Sequence, residues 1–464
     1  MKRFINLWPE ILDAIRGKEQ DYTRINIRKA LLLLSIPMVL EMIMESVFAV
    51  VDIFFVSQLG ADAVAVVGIT ESTMTIVYAF GFGLAMATTA LISRRIGEKR
   101  NKEAADIAWQ SILSGIAISL PIAIVGLVYS EKILQLMGAS AEMSSQHGSY
   151  MRWMLGGNLV IMLLFIINAI FRSAGDAAVA MRVLWTANIL NIILDPILIF
   201  GWWIFPELGV AGAAIATNIG RGVAVVMQLF ILFRGNKIIR LRLENLVIRL
   251  SILKQLFVKS LGGVAQNIIA TSSWIGLYKI IGFYESTVIA GYTIAIRLVV
   301  FFILPSWGLA NAASTLVGQN LGAGFPERAQ KSVWMAAKAN VILMGIISLA
   351  MIFFPAAFIG IFTDDASLLR EGVLALRILG GGFAFYALGM VMIQSHNGAG
   401  DTYTPTWIYL ISFWIIEIPL AYYFSQIVFQ KVEGVYWAIL TAEALMSLIA
   451  MFVFMRGKWK DIKL

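Results

Sequence analysis

Residues 81–100 read GFGLAMATTALISRRIGEKR, an apolar run that stops at Arg94 and Arg95. Moved 225 positions along the chain, it falls on SWGLANAASTLVGQNLGAGF, residues 306–325, where Gly83 meets Gly308, Leu84 Leu309, Ala85 Ala310, Leu91 Leu316 and Gly97 Gly322. The same offset brings Trp109 onto Trp334, Arg152 onto Arg377, Gly156 and Gly157 onto Gly381 and Gly382, and Ala174-Gly175-Asp176 onto Ala399-Gly400-Asp401. Coincidences of Gly, Ala and Leu are common among apolar helices, but paired Trp, Arg and Asp at one fixed offset mark a duplication.

Around this repeat the 464-residue chain is 59% hydrophobic and only 14% charged, more apolar surface than a water-soluble core can hide. Apolar runs of the length a bilayer helix needs, about 20 residues, recur at 30–56, 63–92, 105–129, 150–171, 181–203, 209–233, 255–281, 286–317, 332–359, 372–396, 404–425 and 433–455. In hydrocarbon each backbone must satisfy its own hydrogen bonds, and strand-like alternation is absent, so a barrel is excluded. The expected fold is therefore an all-α integral membrane protein with about twelve transmembrane helices in two pseudo-symmetric six-helix lobes. Six spans per repeat is an even number, so both lobes enter from the same side, with their axis along the membrane normal and a site expected between them.

Basic residues assign the sides. Arg94, Arg95, Lys99, Arg100 and Lys102, then Arg172 and Arg182, then Arg234 to Lys254, then Arg328 and Lys331, alternate with loops that carry little beyond Lys132, Arg370 and Lys431. The basic side is cytoplasmic by the positive-inside bias, and both chain ends fall on it. The expected organisation is a cytoplasmic interfacial segment at 1–29, an N-lobe at 30–233, a cytoplasmic linker at 234–254, a C-lobe at 255–455 and a cytoplasmic tail at 456–464. Glu10, Asp13, Arg16, Lys18 and Glu19 leave the first segment without a signal-peptide core, so an interfacial helix is expected there.

Several chemistries are excluded. There is no cysteine, so a thiolate metal site is excluded; with His147 and His396 far apart in sequence, metal or redox catalysis is not expected, and with no phosphate-binding loop and its Lys, transport energised by this chain's own ATP hydrolysis is excluded. It is not expected to be an enzyme or to need a cofactor. The net charge of +8 sits in the loops, where membrane topology explains it better than nucleic acid does.

Ionisable groups inside a span cost at least about 2.5 kcal/mol each, so each asks for a partner or a wet cavity. The first half holds Glu41, Glu45 and Asp52 in span one, Glu71 in span two, and Asn188, Asn191 and Asp195 in span five. Asn191 and Asp195 are four residues apart and share a helix face, and Pro196 follows the acid. A carboxylate with amide and hydroxyl oxygens suits Na⁺ or a proton, with Thr217 of span six completing the set if the helices are neighbours. The alternative is a buried hydrogen-bonded pair that only ties two helices together. In the second half, Asp52 corresponds to Leu277, Glu41 to Gln266 and Asp195 to Leu420, so the acids are one-sided. Gln266, Arg297, Glu417 and Glu443 stand there isolated, as structural or cavity-lining groups, and Glu41 and Glu45 are further lining candidates.

Pro37 followed fifteen residues later by Asp52 in VDIFFVSQLG, the segment FRSAGD at 171–176 running on to NIILDP at 191–196, GVAGAAIAT at 209–217 and HNGAGD at 396–401 together resemble the multidrug and toxic compound extrusion (MATE) transporters over nearly the whole chain. The resemblance implies an antiporter that exports amphipathic, often cationic organic compounds in exchange for H⁺ or Na⁺ by rocking its lobes. In the DNA-damage-inducible (DinF-like) prokaryotic branch the cation site lies in the N-lobe, which here implies Asp52, Asn191, Asp195 and Thr217, with a helix bend at Pro37. The NorM-like branch places acids on the seventh and tenth helices, and the corresponding GGVAQNIIATSSW of span seven has none. The implied partners are small organic substrates and the lipid bilayer of a bacterial or archaeal inner membrane, with no nucleic acid, and the expected state is a monomer. A lipid-linked oligosaccharide flippase of the same wider superfamily, a major-facilitator carrier and a non-transport membrane scaffold are the competing readings. A flippase normally has a wide basic cavity, the facilitator loop Asp is missing from SRRIGEKRNKE, and a scaffold explains neither the duplication nor the buried acids.

Overall fold

Every long apolar run becomes a helix in the computed structural model, which describes residues 7–17, 20–235 and 238–464. The N-terminal half comprises α1 (Leu7–Arg16), α2 (Ile27–Ser57), α3 (Ala61–Gly97), α4 (Asn101–Leu136), α5 (Ala141–Gly156), α6 (Asn158–Ala174), α7 (Ala177–Phe200) and α8 (Val210–Arg234). The C-terminal half comprises α9 (Leu250–Ile281), α10 (Ser286–Gly322), α11 (Pro326–Phe353), the short α12 (Pro355–Ile359), α13 (Ala366–Gly381), α14 (Phe383–Ala399), a composite pass over residues 403–428 that includes α15 (Tyr403–Tyr409) and α16 (Ile418–Tyr423), and α17 (Glu433–Met455). Among the described residues nine helices are long and apolar enough to cross a membrane, and α13 with α14, bent by 48°, makes a tenth. Helices α2 and α9, 31 and 32 residues long, pack among them and bring the bundle to the twelve passes expected from sequence. Several helices overrun their apolar runs. Both α3 and α10 have 37 residues, roughly 55 Å at 1.5 Å per residue, so their polar ends stand clear of a core of about 30 Å.

The duplication is visible in how the halves touch. A Cβ on Gly97 would strike the backbone of Gln319, and one on Gly322 would strike the backbone of Arg94; these contacts exchange under the 225-residue offset. Gly83 against Val264 and Gly308 against Val39 are a second reciprocal pair. Phe82 and Trp307, equivalent to each other, meet at 5.6 Å, as do Gly318 and Ser93 in tighter contact, which puts both pairs on the pseudo-twofold axis. These close approaches lie in the halves of α2, α3, α9 and α10 that lead to the basic loops. Glycine is needed there because backbone meets backbone.

Both chain ends pack on that same basic face. Tyr22 donates to Gly175 O at 2.9 Å and Lys99 pairs with Asp21 at 2.8 Å, while Arg94 and Arg95 donate to the carbonyls of Ile462 and Leu464 at 2.8 and 3.1 Å. The N-terminal helix expected within residues 1–29 is seen as Leu7–Arg16, and residues 1–6, 18 and 19 lie outside the described set. The expected linker 234–254 is shorter at its C-terminal end, since α9 already starts at Leu250. It is tied to α4: Asn245 donates to Asp106 at 2.7 Å, Arg249 pairs with Asp106 at 2.7 Å, and Gln110 donates to Val247 O at 2.7 Å. Residues 236 and 237 are outside the described set.

Candidate functional site

The N-terminal half holds its polar side chains in two layers. Near the basic face, Glu41 of α2 is 1% exposed and pairs with Arg172 of α6 at 2.6 Å. Asn168, one turn earlier on α6, donates to the same Glu41 oxygen at 3.2 Å and accepts from Gln228 of α8 at 2.5 Å. This layer sits just beyond Pro37, which removes the N–H that would have bonded Leu33 O and so loosens α2 at that turn. The following turns are steadied from outside, Trp185 donating to Leu40 O at 3.1 Å.

Farther from the basic face, α2, α3, α5, α7 and α8 converge. Asn191 Nδ2 donates to Thr217 Oγ1 at 3.1 Å, so α7 and α8 are the neighbours that the proposed set requires. Asp195 is fully buried and neither of its oxygens meets hydrogen-bond geometry, although Asn191 lies close beside it. Asn191 Oδ1 and Asp52 Oδ1 are also buried without a partner. Asp52 and Asp195 are within electrostatic reach of each other, and Asp52 also of Glu71 and Arg221. Glu71 of α3 has accessible surface, accepts from Tyr78 OH at 3.2 Å and faces inward toward Arg221. Tyr150 of α5 is buried within electrostatic reach of Asp52, Glu71, Tyr78 and Asp195. Glu45 is half-buried, with Arg221 Nη2 at 3.1 Å on one oxygen and Asn188 Nδ2 at 3.1 Å on the other.

Such a site contains four oxygens that accept nothing from the protein, set on α2 and α7, with two carboxylates among them. Leaving such groups bare in an apolar surround costs several kcal/mol each. A hard monovalent cation or protons would satisfy them, and an oxygen-only donor set suits Na⁺ rather than a soft metal.

The C-terminal half differs. Gln266 is 1% exposed and exchanges two hydrogen bonds of 3.1 Å with Asn397, and it also donates to Thr402 O at 3.0 Å. Glu417, 3% exposed, lies beside Ser273 and within electrostatic reach of Glu443, so these acids, isolated in sequence, are neighbours in space. Glu417 ends a π-helical stretch, Leu410–Glu417, in front of Pro419, whose missing N–H removes an i→i−4 bond from the helix. Of the candidate lining residues, Glu41, Gln266 and Glu417 are thus buried, Glu45 is half-buried, and Arg297 is exposed.

Arg221 and Tyr150 were not singled out in the sequence, and Tyr78 was not linked to Glu71. Arg221 left a signal: an arginine inside the apolar run 209–233, one turn after Thr217 and on its face. Tyr78, seven residues after Glu71, shares its face in the same way.

The MatE family model matches residues 37–197 and 264–423, one match in each half of the repeat. The chain belongs to the MatE family. Over 439 residues this MatE protein is 26% identical to a protein of Thermotoga maritima described as probable multidrug resistance protein NorM, covering 94% of this chain and 93% of that one. It is also 26% identical over 438 residues to the FAD transporter of Shewanella oneidensis, covering 93% and 95%. A structure described as the outward-facing conformation of a multidrug resistance MATE family transporter of the MOP superfamily superimposes with a TM-score of 0.89 at 23% identity, covering 97% of this chain and 98% of that one, which shows the shared fold. This MatE protein is a multi-pass membrane transporter, not an enzyme.

Proposed function

We propose that this MatE protein is a cation-coupled antiporter, driven by H⁺, Na⁺ or both, that exports amphipathic and often cationic organic compounds from the cytoplasm. The observation that carries this reading is a pair of acids with buried, unpartnered oxygens, the fully buried Asp195 with both and the half-buried Asp52 with one, beside the Asn191–Thr217 pair. With Asp52, Asn191, Asp195 and Thr217 as ligands, the cation neutralises the acids in one state of the transporter. Occupancy of this site and of the substrate site then bias the same rocking equilibrium, because each binds the two states unequally. The loosened turn of α2 at Pro37 is where span one yields.

A substrate surface is available on the pseudo-twofold axis. Tyr78, Phe165, Phe82 and Trp307 follow one another at ring separations of 6.1, 4.8 and 5.6 Å, and Trp307 donates to Tyr386 OH at 2.5 Å. These rings are partly exposed and join the two halves just above the tightly packed basic side, with Glu71 bonded to Tyr78 at one end. Aromatic faces next to a carboxylate suit a flat organic cation. In this reading the halves are closed toward the cytoplasm and both termini lie there, in an inner or plasma membrane, with the monomer as the working unit.

The test is purified protein in liposomes, with a Na⁺ or a pH gradient imposed and a fluorescent organic cation as reporter. Gradient-driven reporter movement identifies the ion. If neither gradient moves the reporter while the intact protein still binds it, coupling is wrong. Na⁺ and H⁺ meeting at the same carboxylates compete by mass action, so apparent Na⁺ affinity, followed by Trp fluorescence, weakens as pH falls from about 8 to about 5. Na⁺ affinity that is flat across that range separates the two ions onto different sites.

A further inference from the structure

The outer layer of the N-terminal half contains four acids at membrane depth, Glu45, Asp52, Glu71 and Asp195, and among the described residues a single basic side chain, Arg221, faces them. Arg221 is 7% exposed. One of its nitrogens lies 3.1 Å from Glu45, its guanidinium stands 5.4 Å from the Phe48 ring centroid, and its Nε has no hydrogen-bond partner. Its charge also reaches Tyr78, Glu71 and Asp52. It stands one turn from Thr217 on α8, immediately beside the candidate cation site.

We propose that Arg221 is a tethered counter-cation that fixes how many external cations the N-terminal half takes up per transport cycle. A guanidinium cannot lose its proton in a protein, so it supplies one permanent positive charge. Glu45, held by Arg221 and by Asn188, has both oxygens occupied and is withdrawn from competition for ions. The unpartnered oxygens belong instead to Asp52 and Asp195. Arg221 thereby divides the acids into one satisfied by the chain itself and others left for an external cation. Since carrying an unpaired charge in an apolar lobe is costly, net charge must be restored from outside when Arg221 is removed. The facing groups from each packed helix enter this count: Glu45 and Asp52 from α2, Glu71 and Tyr78 from α3, Tyr150 from α5 and Asp195 from α7.

This inference rests on the coupled-antiporter reading, and its test is the coupling ratio, measured in full-length protein in liposomes as the ion gradient that just balances a fixed reporter gradient at zero membrane potential. Arg221→Gln should raise the number of cations exchanged per reporter by one, and Arg221→Lys should leave it unchanged. Glu45→Gln alone, which frees Arg221, should lower the ratio by one. Glu45→Gln combined with Arg221→Gln restores the charge balance with a neutral amide pair and should return the wild-type ratio. A purely structural ion pair predicts no change of ratio in any of these variants, and that result overturns the proposal, as does a double variant that keeps the ratio of Arg221→Gln. If Arg221→Gln alone does not fold, Glu45→Gln and the double variant decide. Asp52→Asn and Asp195→Asn with unaltered coupling, alongside a shifted ratio in Arg221→Gln, would refute the ion site and leave the role of Arg221 standing.

Discussion

Glu41 and Arg172 form a buried ion pair at 2.6 Å in the N-terminal half, and the residues 225 positions later, Gln266 and Asn397, form a buried amide pair at 3.1 Å in the C-terminal half. The two pairs join equivalent helices, α2 to α6 and α9 to α14, at the same level. Side-chain geometry has survived the duplication while charge has not. Farther from the basic face the divergence is complete: Asp52, Asp195, Thr217 and Arg221 correspond to Leu277, Leu420, Ala442 and Met446. At these four positions the C-terminal half is apolar where its twin holds charged and polar groups, and its own acids at that depth, Glu417 and Glu443, stand at other positions. Packing is retained by shape, whereas ion chemistry needs specific atoms, and in the proposed reading the N-terminal half supplies them.

The largest test of that asymmetry is to remove the acids that have no counterpart. Asp195→Asn, and separately Asp52→Asn, should reduce gradient-driven efflux by about 10- to 100-fold, the range of typical coupling free energies, with little change in folded yield. Efflux in proteoliposomes, normalised to monodisperse protein, is the measurement. Near wild-type efflux in both variants would break the comparison by showing that the acids are only buried.

Next comes the conversion of one pair into the other. Glu41→Gln leaves the partly buried Arg172 without its counter-charge, which should cost up to about 3 kcal/mol. Glu41→Gln with Arg172→Asn rebuilds the amide pair that the C-terminal half already uses, and should recover most of the loss in thermal unfolding temperature. If the double variant is no better than the single one, the surroundings of the two pairs have diverged beyond what their matching contacts suggest.

Much of this architecture was legible in the chain itself. Trp109 with Trp334 and Ala174-Gly175-Asp176 with Ala399-Gly400-Asp401 reveal the duplication because rare residues at one spacing are improbable by chance, and periodic apolar runs are what a membrane demands. The Asn191–Asp195 spacing likewise puts an amide and a carboxylate on one face. What remained hidden depends on contacts between distant segments. Nothing near Glu417 in sequence announces Glu443 as its neighbour, and nothing beside Glu45 announces Arg221, 176 positions away. The bent pass was hard to see because Gly382 sits inside a continuous apolar run, where glycine also serves simple close packing.

A smaller effect probes the part of the comparison in which the halves agree. A methyl group on Gly97 or on Gly322 meets the backbone of the opposite half, which cannot yield as a flexible side chain can. Each Gly→Ala change should therefore disfavour the packed basic face by about 1–3 kcal/mol and do so equally, because the contacts are reciprocal. Distances between spin labels on the α3–α4 and α10–α11 loops should lengthen in both variants. Lengthening in only one would mean that the pseudo-twofold axis is broken at the gate as well as in the ion layer.

The smallest expected effect belongs to Glu417→Gln. Glu417 and Glu443 are the acids that the C-terminal half does have at membrane depth, and Glu417 Oε2 is buried without a hydrogen-bond partner. No ion pair involving either acid is found among the described residues, in contrast to Glu41 and Glu45, each of which holds an arginine. An amide of the same shape at 417 therefore breaks no ion pair, and it removes a like-charge neighbour from Glu443. The cost is that of altering one buried hydrogen-bonding group beside Ser273, about 0.5–1.5 kcal/mol. Efflux should stay within about threefold of wild type, since a change of that size in stability leaves an unrelated coupling site intact. The same substitution also sharpens the comparison between halves through its partner, Glu443→Gln, which should be equally mild. A loss in either variant as large as that of Asp195→Asn would place ion chemistry in both lobes, and the acids of α17 and of the π-helical stretch would then have to be counted with those of α2 and α7.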